Sequence, residues 1–325
     1  MPETPDVPGA KRALLDKYLR GELPATTLNT ITQLKPKVAA PLSSANSRAP
    51  LVAVQPGGSK RPFFYLHVHW QGGAFYCFTL ARDLGSDQPF YVLDPYRFDD
   101  LPAPPTIEAM AADYIESLRA VQPEGPVLLG AFCGASLVAY EMAQQLRAQG
   151  QAVDLLVFID PTAGSIQSIR FTGNFIRRIG NLLHLGPGTQ LDRFLLLRHV
   201  SRVLRRSRDE YTQHADRLMQ RWREEHPRRF SLLPAAGALR QDWLAMFIWA
   251  VSGYVPRPYP GKVTYLFARD NHDSRRLWWG KVKETESVEI QRIPGTHETC
   301  RTEHIHDLAR HLRGCLNEAQ GRTRP

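Results

Sequence analysis

The sequence predicts an α/β protein: a doubly wound, mostly parallel sheet with a helical lid inserted into it. Three observations carry this. Short apolar runs alternate with amphipathic helical patterns from Arg61 to Asp160, the alternation gives way to helical patterns alone, and strand patterns resume at Lys262. Parallel neighbours need crossover helices, so an alternation of this kind builds a parallel sheet covered on both faces. A chain of 325 residues, 43% hydrophobic and 22% charged, has the apolar content for such a core in one catalytic domain with insertions.

Taken in order, Lys11 to Arg20 (KRALLDKYLR) sets Leu14, Leu15, Tyr18 and Leu19 on one stripe and reads as a short helix. From Pro24 to Lys60, Pro, Ser, Thr and Ala dominate and a Pro-Gly-Gly turn stands at Pro56, so this stretch reads as linker. Residues 1–60 are thus set apart from a core of residues 61–162 and 258–325, with residues 163–257 as the lid. Core strands are expected at Phe63–His67, Phe90–Leu93, Val127–Gly130, Asp154–Asp160, Lys262–Phe267 and Val288–Ile293. The helices between and after them are expected at Ala74–Leu84, Ile107–Val121, Ser136–Ala148 and Glu303–Cys315. Lid helices are expected at Phe171–Leu185, Leu191–Arg206, Arg208–His226 and Arg240–Val251. In the second of these, Leu191, Phe194, Leu197 and Val200 make the apolar stripe and the arginines the opposite face.

Composition narrows the function classes. Cys77, Cys133, Cys300 and Cys315 show no paired spacing, which points away from a disulfide framework and toward a reducing cytoplasm. The sequence predicts neither a signal peptide nor a membrane span. A net charge of +9 is concentrated between Arg170 and Arg229, interleaved with leucines at helical spacing. That is a localised basic helical region, read either as solvated faces or as a docking surface for an acidic or phosphorylated partner. Nucleic acid fits less well, because no nucleic-acid-binding motif is present. His67, His69 and His272 invite a metal reading, but no third ligand is fixed by spacing and no metal is expected.

The chemistry centres on LLGAFCGASLVAYEMA, Leu128 to Ala143: a buried strand, a tight turn of small residues, then a helix. Nucleophile elbows have the pattern G-x-S-x-G in this context. Here Ala131, Phe132, Cys133, Gly134 and Ala135 occupy it, with cysteine in the serine position and alanine for both outer glycines. Standing alone, Cys133 reads equally as a buried structural thiol. In an elbow, the Gly134 amide supplies one oxyanion-hole donor, and the helix N-terminus favours the thiolate. Asp160 ends the next strand, 27 residues after Cys133, and His297 lies in the loop IPGTHETC after the last strand. The chain order nucleophile, acid, histidine is that of α/β-hydrolases, which makes Cys133, Asp160 and His297 the expected triad.

From Leu51 to Leu316 the chain resembles the thioesterase domains that end nonribosomal peptide and polyketide assembly lines. LVAVQPGGSKRPFFYLH, the run from Ile107 to Asp160, YVPRPYPGKVTYLFARD and the closing PGTH segment carry the likeness. The resemblance implies an α/β-hydrolase fold and a substrate that arrives as a thioester on the 4'-phosphopantetheine arm of an acidic carrier protein, with no bound cofactor. It implies a second oxyanion amide from the loop Val68 to Gln71, although that loop is one residue longer than the family pattern. Arg177, Arg178, Arg205 and Arg206 are the candidates for holding the carrier or its phosphate. Relatives with cysteine at the nucleophile position include aminoacyl transferases, and a cysteine keeps the acyl group as a thioester. Transfer to a thiol or amine acceptor, small molecule or second carrier, is therefore the expected outcome. Release by hydrolysis or cyclisation is the alternative, and a non-catalytic carrier-binding scaffold the third reading. The Lys11–Arg20 segment resembles elements preceding catalytic domains, read as a vestige of a larger enzyme or as a carrier-docking element.

Overall fold

A computed structural model describes residues 48–67, 75–99, 101, 103–161, 166–205, 236–270 and 287–321. The expected helices at Lys11–Arg20 and Arg208–His226 lie outside these residues, as do most of the linker and the loop Val68 to Gln71.

In chain order the core elements are β1 (Leu51–Gln55), β2 (Phe63–Leu66), α1 (Phe75–Leu84), β3 (Phe90–Leu93), α2 (Ile107–Arg119), β4 (Val127–Phe132), α3 (Ser136–Ala148) and β5 (Val153–Ile159). The lid helices follow as α4 (Ile166–Leu182), α5 (Pro187–Arg205), the single turn α6 (Ala236–Leu239) and α7 (Trp243–Gly253). The chain then closes with β6 (Lys262–Ala268), β7 (Ser287–Ile293) and α8 (Ile305–Gly321). The seven strands form one sheet in the order β1-β3-β2-β4-β5-β6-β7. All pairs are parallel except β1 with β3, where Leu51 faces Leu93 and Ala53 faces Tyr91. An antiparallel edge strand corrects the linker reading of Leu51–Gln55. Its five residues sit among the Pro, Ser and Gly that signalled a linker, and only pairing with β3 makes them a strand.

Side chains alternate across the sheet, so each strand feeds two cores. Phe64, Leu66, Leu129, Ala131 and Phe158 face α2 and α3, while Phe63, Tyr65, Leu128, Val157 and Leu266 face α1 and α8. Helix α2 buries Ile107, Met110, Ala111, Tyr114, Ile115 and Leu118, a helical stripe, and its first turn is capped by Thr106, whose hydroxyl accepts from the Ala109 amide at 3.2 Å. Gly130 faces the second of these cores, against Phe63 and Val157. A Cβ there would lie 2.4 Å from the Phe63 ring, so Gly130→Ala is expected to cost about 1–3 kcal/mol by overpacking. A lowered urea midpoint with an unchanged slope checks this.

The lid differs from expectation in the rotation of α5. Leu191, Phe194 and Leu195 are buried, whereas Leu197 is 49% exposed. Arg202 reaches Asp242, the N-cap of α7, at 3.1 Å. Arg198 is partly buried, while Arg193 stays exposed.

Candidate active site

The parallel strands bring their carboxyl ends to one edge, and the connections after β4, β5 and β7 carry the expected triad there. Cys133 stands at the first position after β4 with φ 56°, a left-handed backbone that a non-glycine side chain adopts at a cost of about 1–2 kcal/mol. The tight turn that imposes it, Cys133–Ala135, runs directly into α3. Ala131 and Ala135 are buried on either side, so the alanines that replace the outer glycines of the elbow are accommodated. Cys133 itself remains partly exposed.

Asp160, directly after β5, is fully buried. It also has a positive φ, 39°. Its amide donates to the Leu266 carbonyl at 2.8 Å, and its Oδ1 accepts from the Ala268 amide at 3.1 Å, so the end of β6 fixes the carboxylate on two sides. The other oxygen, Oδ2, bonds His297 Nδ1 at 2.5 Å. His297 follows β7 inside a turn closed by Thr296 and Thr299, where the Thr296 amide donates to the Thr299 hydroxyl at 2.7 Å. On its other flank the imidazole stacks on Phe132, with ring centroids 4.7 Å apart and planes at 28°.

Burial of the His297 ring disfavours its charged form. The hydrogen bonds and charges of Asp160 and Cys133 outweigh that burial and raise its pKa from 6.5 to about 10. The imidazole thus lies between the Asp160 carboxylate and the Cys133 sulfur, both of which favour its protonated form. The remaining cysteines are chemically quiet by contrast. Burial pushes the thiol of Cys77 far up, that of Cys300 up to about 12 and that of Cys315 up to about 11.

Helix α7 roofs the elbow. Phe247 lies where a Cβ on Gly134 would touch its ring at 3.4 Å, and Trp243 stacks on Phe247 at 5.1 Å. Beside this roof, at the ends of β2 and β3, opens a cavity of about 590 Å³ lined by His67, Asp94, Tyr96, Arg240, Trp243 and Met246. His67, whose side chain is fully buried, bonds Asp94 through Nε2 at 3.0 Å. Sequence reading missed Asp94, Phe132 as a stacking partner and Phe247. Asp94 had a usable signal, since it is the first residue after a strand of the expected sheet.

Of the arginines expected to meet a carrier, Arg177 is used otherwise. It donates to the Ser252 hydroxyl at 2.9 Å and to the Trp249 carbonyl at 3.0 Å, with its guanidinium 3.9 Å above the Trp249 ring. These donors clamp α4 to α7. Arg178 is exposed. Arg205 ends α5, its side chain outside the described atoms, and Arg206, His69 and His272 lie outside the described residues.

Residues 66–170 match the family model for the thioesterase domain. The dimodular nonribosomal peptide synthase of Bacillus subtilis (strain 168) is 40% identical over 123 residues, covering 36% of this chain and 5% of the synthase. Polyketide synthase PksR of the same organism is 37% identical over 111 residues, covering 34% of this chain and 4% of its own length. The chain thus matches a small fraction of these long relatives. Among solved structures, the NocB thioesterase domain in covalent complex with a fluorophosphonate nocardicin G analog superposes with a TM-score of 0.53. It is 21% identical, and the match covers 82% of this chain and 99% of that one, a likeness of fold. By matched sequence, residues 66–170 are similar to the thioesterase domains of nonribosomal peptide and polyketide synthases, and the chain shares the fold of a solved thioesterase domain.

Proposed function

We propose that this thioesterase-like protein is an acyl transfer enzyme that takes an acyl, aminoacyl or peptidyl group from a carrier-protein phosphopantetheine thioester onto Cys133 and passes it to a thiol or amine acceptor. One observation carries the reading: the thiol at the elbow is hydrogen-bonded to an imidazole that Asp160 holds at 2.5 Å and whose pKa is raised to about 10. A serine hydroxyl needs a neutral histidine to remove its proton. A thiol can give its proton to His297 directly, which would set the nucleophile beside the acid for the leaving group.

In the first half-reaction the Cys133 sulfur attacks the thioester carbonyl. The oxyanion is held by the Gly134 amide and, on the family's pattern, by an amide of the loop Val68 to Gln71. Collapse breaks the bond to the pantetheine sulfur, which leaves as a thiol with the proton from His297. The enzyme now holds a thioester and a neutral imidazole. In the second half-reaction that imidazole takes the proton of the acceptor thiol or amine as it attacks, Cys133 leaves as thiolate, and His297 is again protonated. Since a thioester is exchanged for a thioester when the acceptor is a thiol, that step runs close to equilibrium, which suits transfer. Water as acceptor gives hydrolysis by the same steps, and an internal nucleophile gives cyclisation.

Intact-protein mass spectrometry after mixing with an acyl-loaded carrier tests the reading. The wild type is expected to gain the acyl mass, and Cys133→Ala to gain none. Labelling of the alanine variant at another cysteine would overturn the assignment, and the raised thiol pKa values of Cys77 and Cys300 argue against it.

A further inference from the structure

Helix α4 is built inside out. Its packed side carries glycines: a Cβ on Gly173 would lie 2.2 Å from the Ser252 hydroxyl, and one on Gly180 would lie 2.6 Å from the Gln190 side chain. Arg177, on the same side, is bound to Ser252 and Trp249. Ile176 packs inward, but five other large apolar residues at and just after the helix point the other way. Phe171 is 74% exposed, Phe175 55%, Ile179 41%, Leu182 74% and Leu183 61%. Spaced by four, four and three residues, the first four form one stripe, and the Phe171 and Phe175 rings stack at 6.4 Å. The helix cannot roll over to bury them, because no other side of it fits the close approach to Ser252 and Gln190. A contiguous apolar stripe held outward in this way marks an interaction surface.

Charge selects the occupant. Helix α4 carries three arginines and no carboxylate. Arg178 stands exposed within the stripe, three residues after Phe175 and four before Leu182. The one carboxylate of α5, Asp192, is taken by Arg240 at 2.8 Å. The chain's own segment Lys11 to Arg20 is basic, and a second copy, at net charge +9, would set arginine against arginine. The surface fits an acidic protein that presents a helix with apolar residues. It also lies one helix from the chemistry, since α4 packs on α7, whose Phe247 covers Gly134.

We propose that Phe171, Phe175, Ile179, Leu182 and Leu183, edged by Arg178, form the docking face for the acidic carrier that delivers the thioester. This rests on the acyl transfer proposed above. The test uses the full chain and a double variant, Phe171→Ser with Phe175→Ser, together with Arg178→Glu. Because these side chains are exposed, both variants are expected to keep the wild-type Tm. The probe is a panel of unacylated holo carrier proteins with a fluorescent label, followed by anisotropy. The wild type is expected to bind, and each variant to bind at least about tenfold more weakly, the loss expected when an interface anchor is removed. Equal binding by wild type and variants, or no binding by the wild type to any carrier, overturns the proposal. So does wild-type association with phosphatidylserine vesicles that the variants lose while carrier binding is unchanged, which would make the stripe a membrane face. Acylation from an N-acetylcysteamine thioester, which bypasses docking, is expected to be equal in wild type and variants. Its absence in the wild type would count against the chemistry at Cys133 and leave the binding result to decide the docking face.

Discussion

His297→Ala is expected to slow acylation of Cys133 by about four orders of magnitude, with substrate binding little changed, because in the proposed mechanism one group supplies both the proton for the leaving sulfur and the partner of the attacking sulfur. Asp160→Asn is expected to be about a hundredfold milder, since Asp160 touches no reacting atom and acts by orienting the ring. Single-turnover rates from a small thioester measure both, and near-normal acylation in the His297 variant would dismiss the triad. The same histidine sets the alkaline limb. Burial lowers its pKa, but the bonds to Asp160 and Cys133 raise it further, to about 10. Acylation is therefore expected to hold through neutral pH and to fall as pH rises through about 10, where the acid is lost. The stability linkage has the same sign. A folded pKa raised above the unfolded 6.5 contributes stability in full below that value, and the contribution is lost as pH rises from there through about 10. In Cys133→Ala two of the raising influences disappear, so the His297 pKa, followed by NMR, is expected to drop.

Cys133→Ser separates transfer from release. Serine would occupy the same left-handed elbow position, φ 56°, with His297 and Asp160 unchanged. Without the thiolate the imidazole must start neutral to act as base, so acylation is expected to be slower and to rise with pH where the wild type is flat. The product would be an oxoester, lower in free energy than a thioester and a poorer donor to an incoming thiol. The variant is thus expected to accumulate acyl-enzyme or to leak free acid, with delivery to a thiol acceptor largely lost. Partitioning between free acid and acceptor adduct, compared in the two enzymes, is the measurement. Rapid wild-type hydrolysis that no thiol or amine diverts, with an active serine variant, would install hydrolysis as the function.

Much of this site was legible in the sequence because it depends on short-range order. The alternation of strand and helix patterns placed β3 and α3 at their observed bounds and β4, β5 and β6 to within two residues. Strand ends in a parallel sheet share one edge, so Asp160 and His297 could be expected at the edge where Cys133 stands without any knowledge of distance. What tertiary structure decided were the matters of rotation and pairing. Leu51–Gln55 becomes a strand only because β3 offers it an edge, and the packing of α5 buries Leu195 and leaves Leu197 outward. Arg177 is held by Ser252 and Trp249, more than seventy residues on, which present it with an acceptor and a ring. The stacking of Phe132 on His297 and the outward stripe of α4 were invisible for the same reason. A sequence states which residues are apolar, but which side of a helix fits against its neighbour depends on contacts a fraction of an ångström apart between residues distant in the chain.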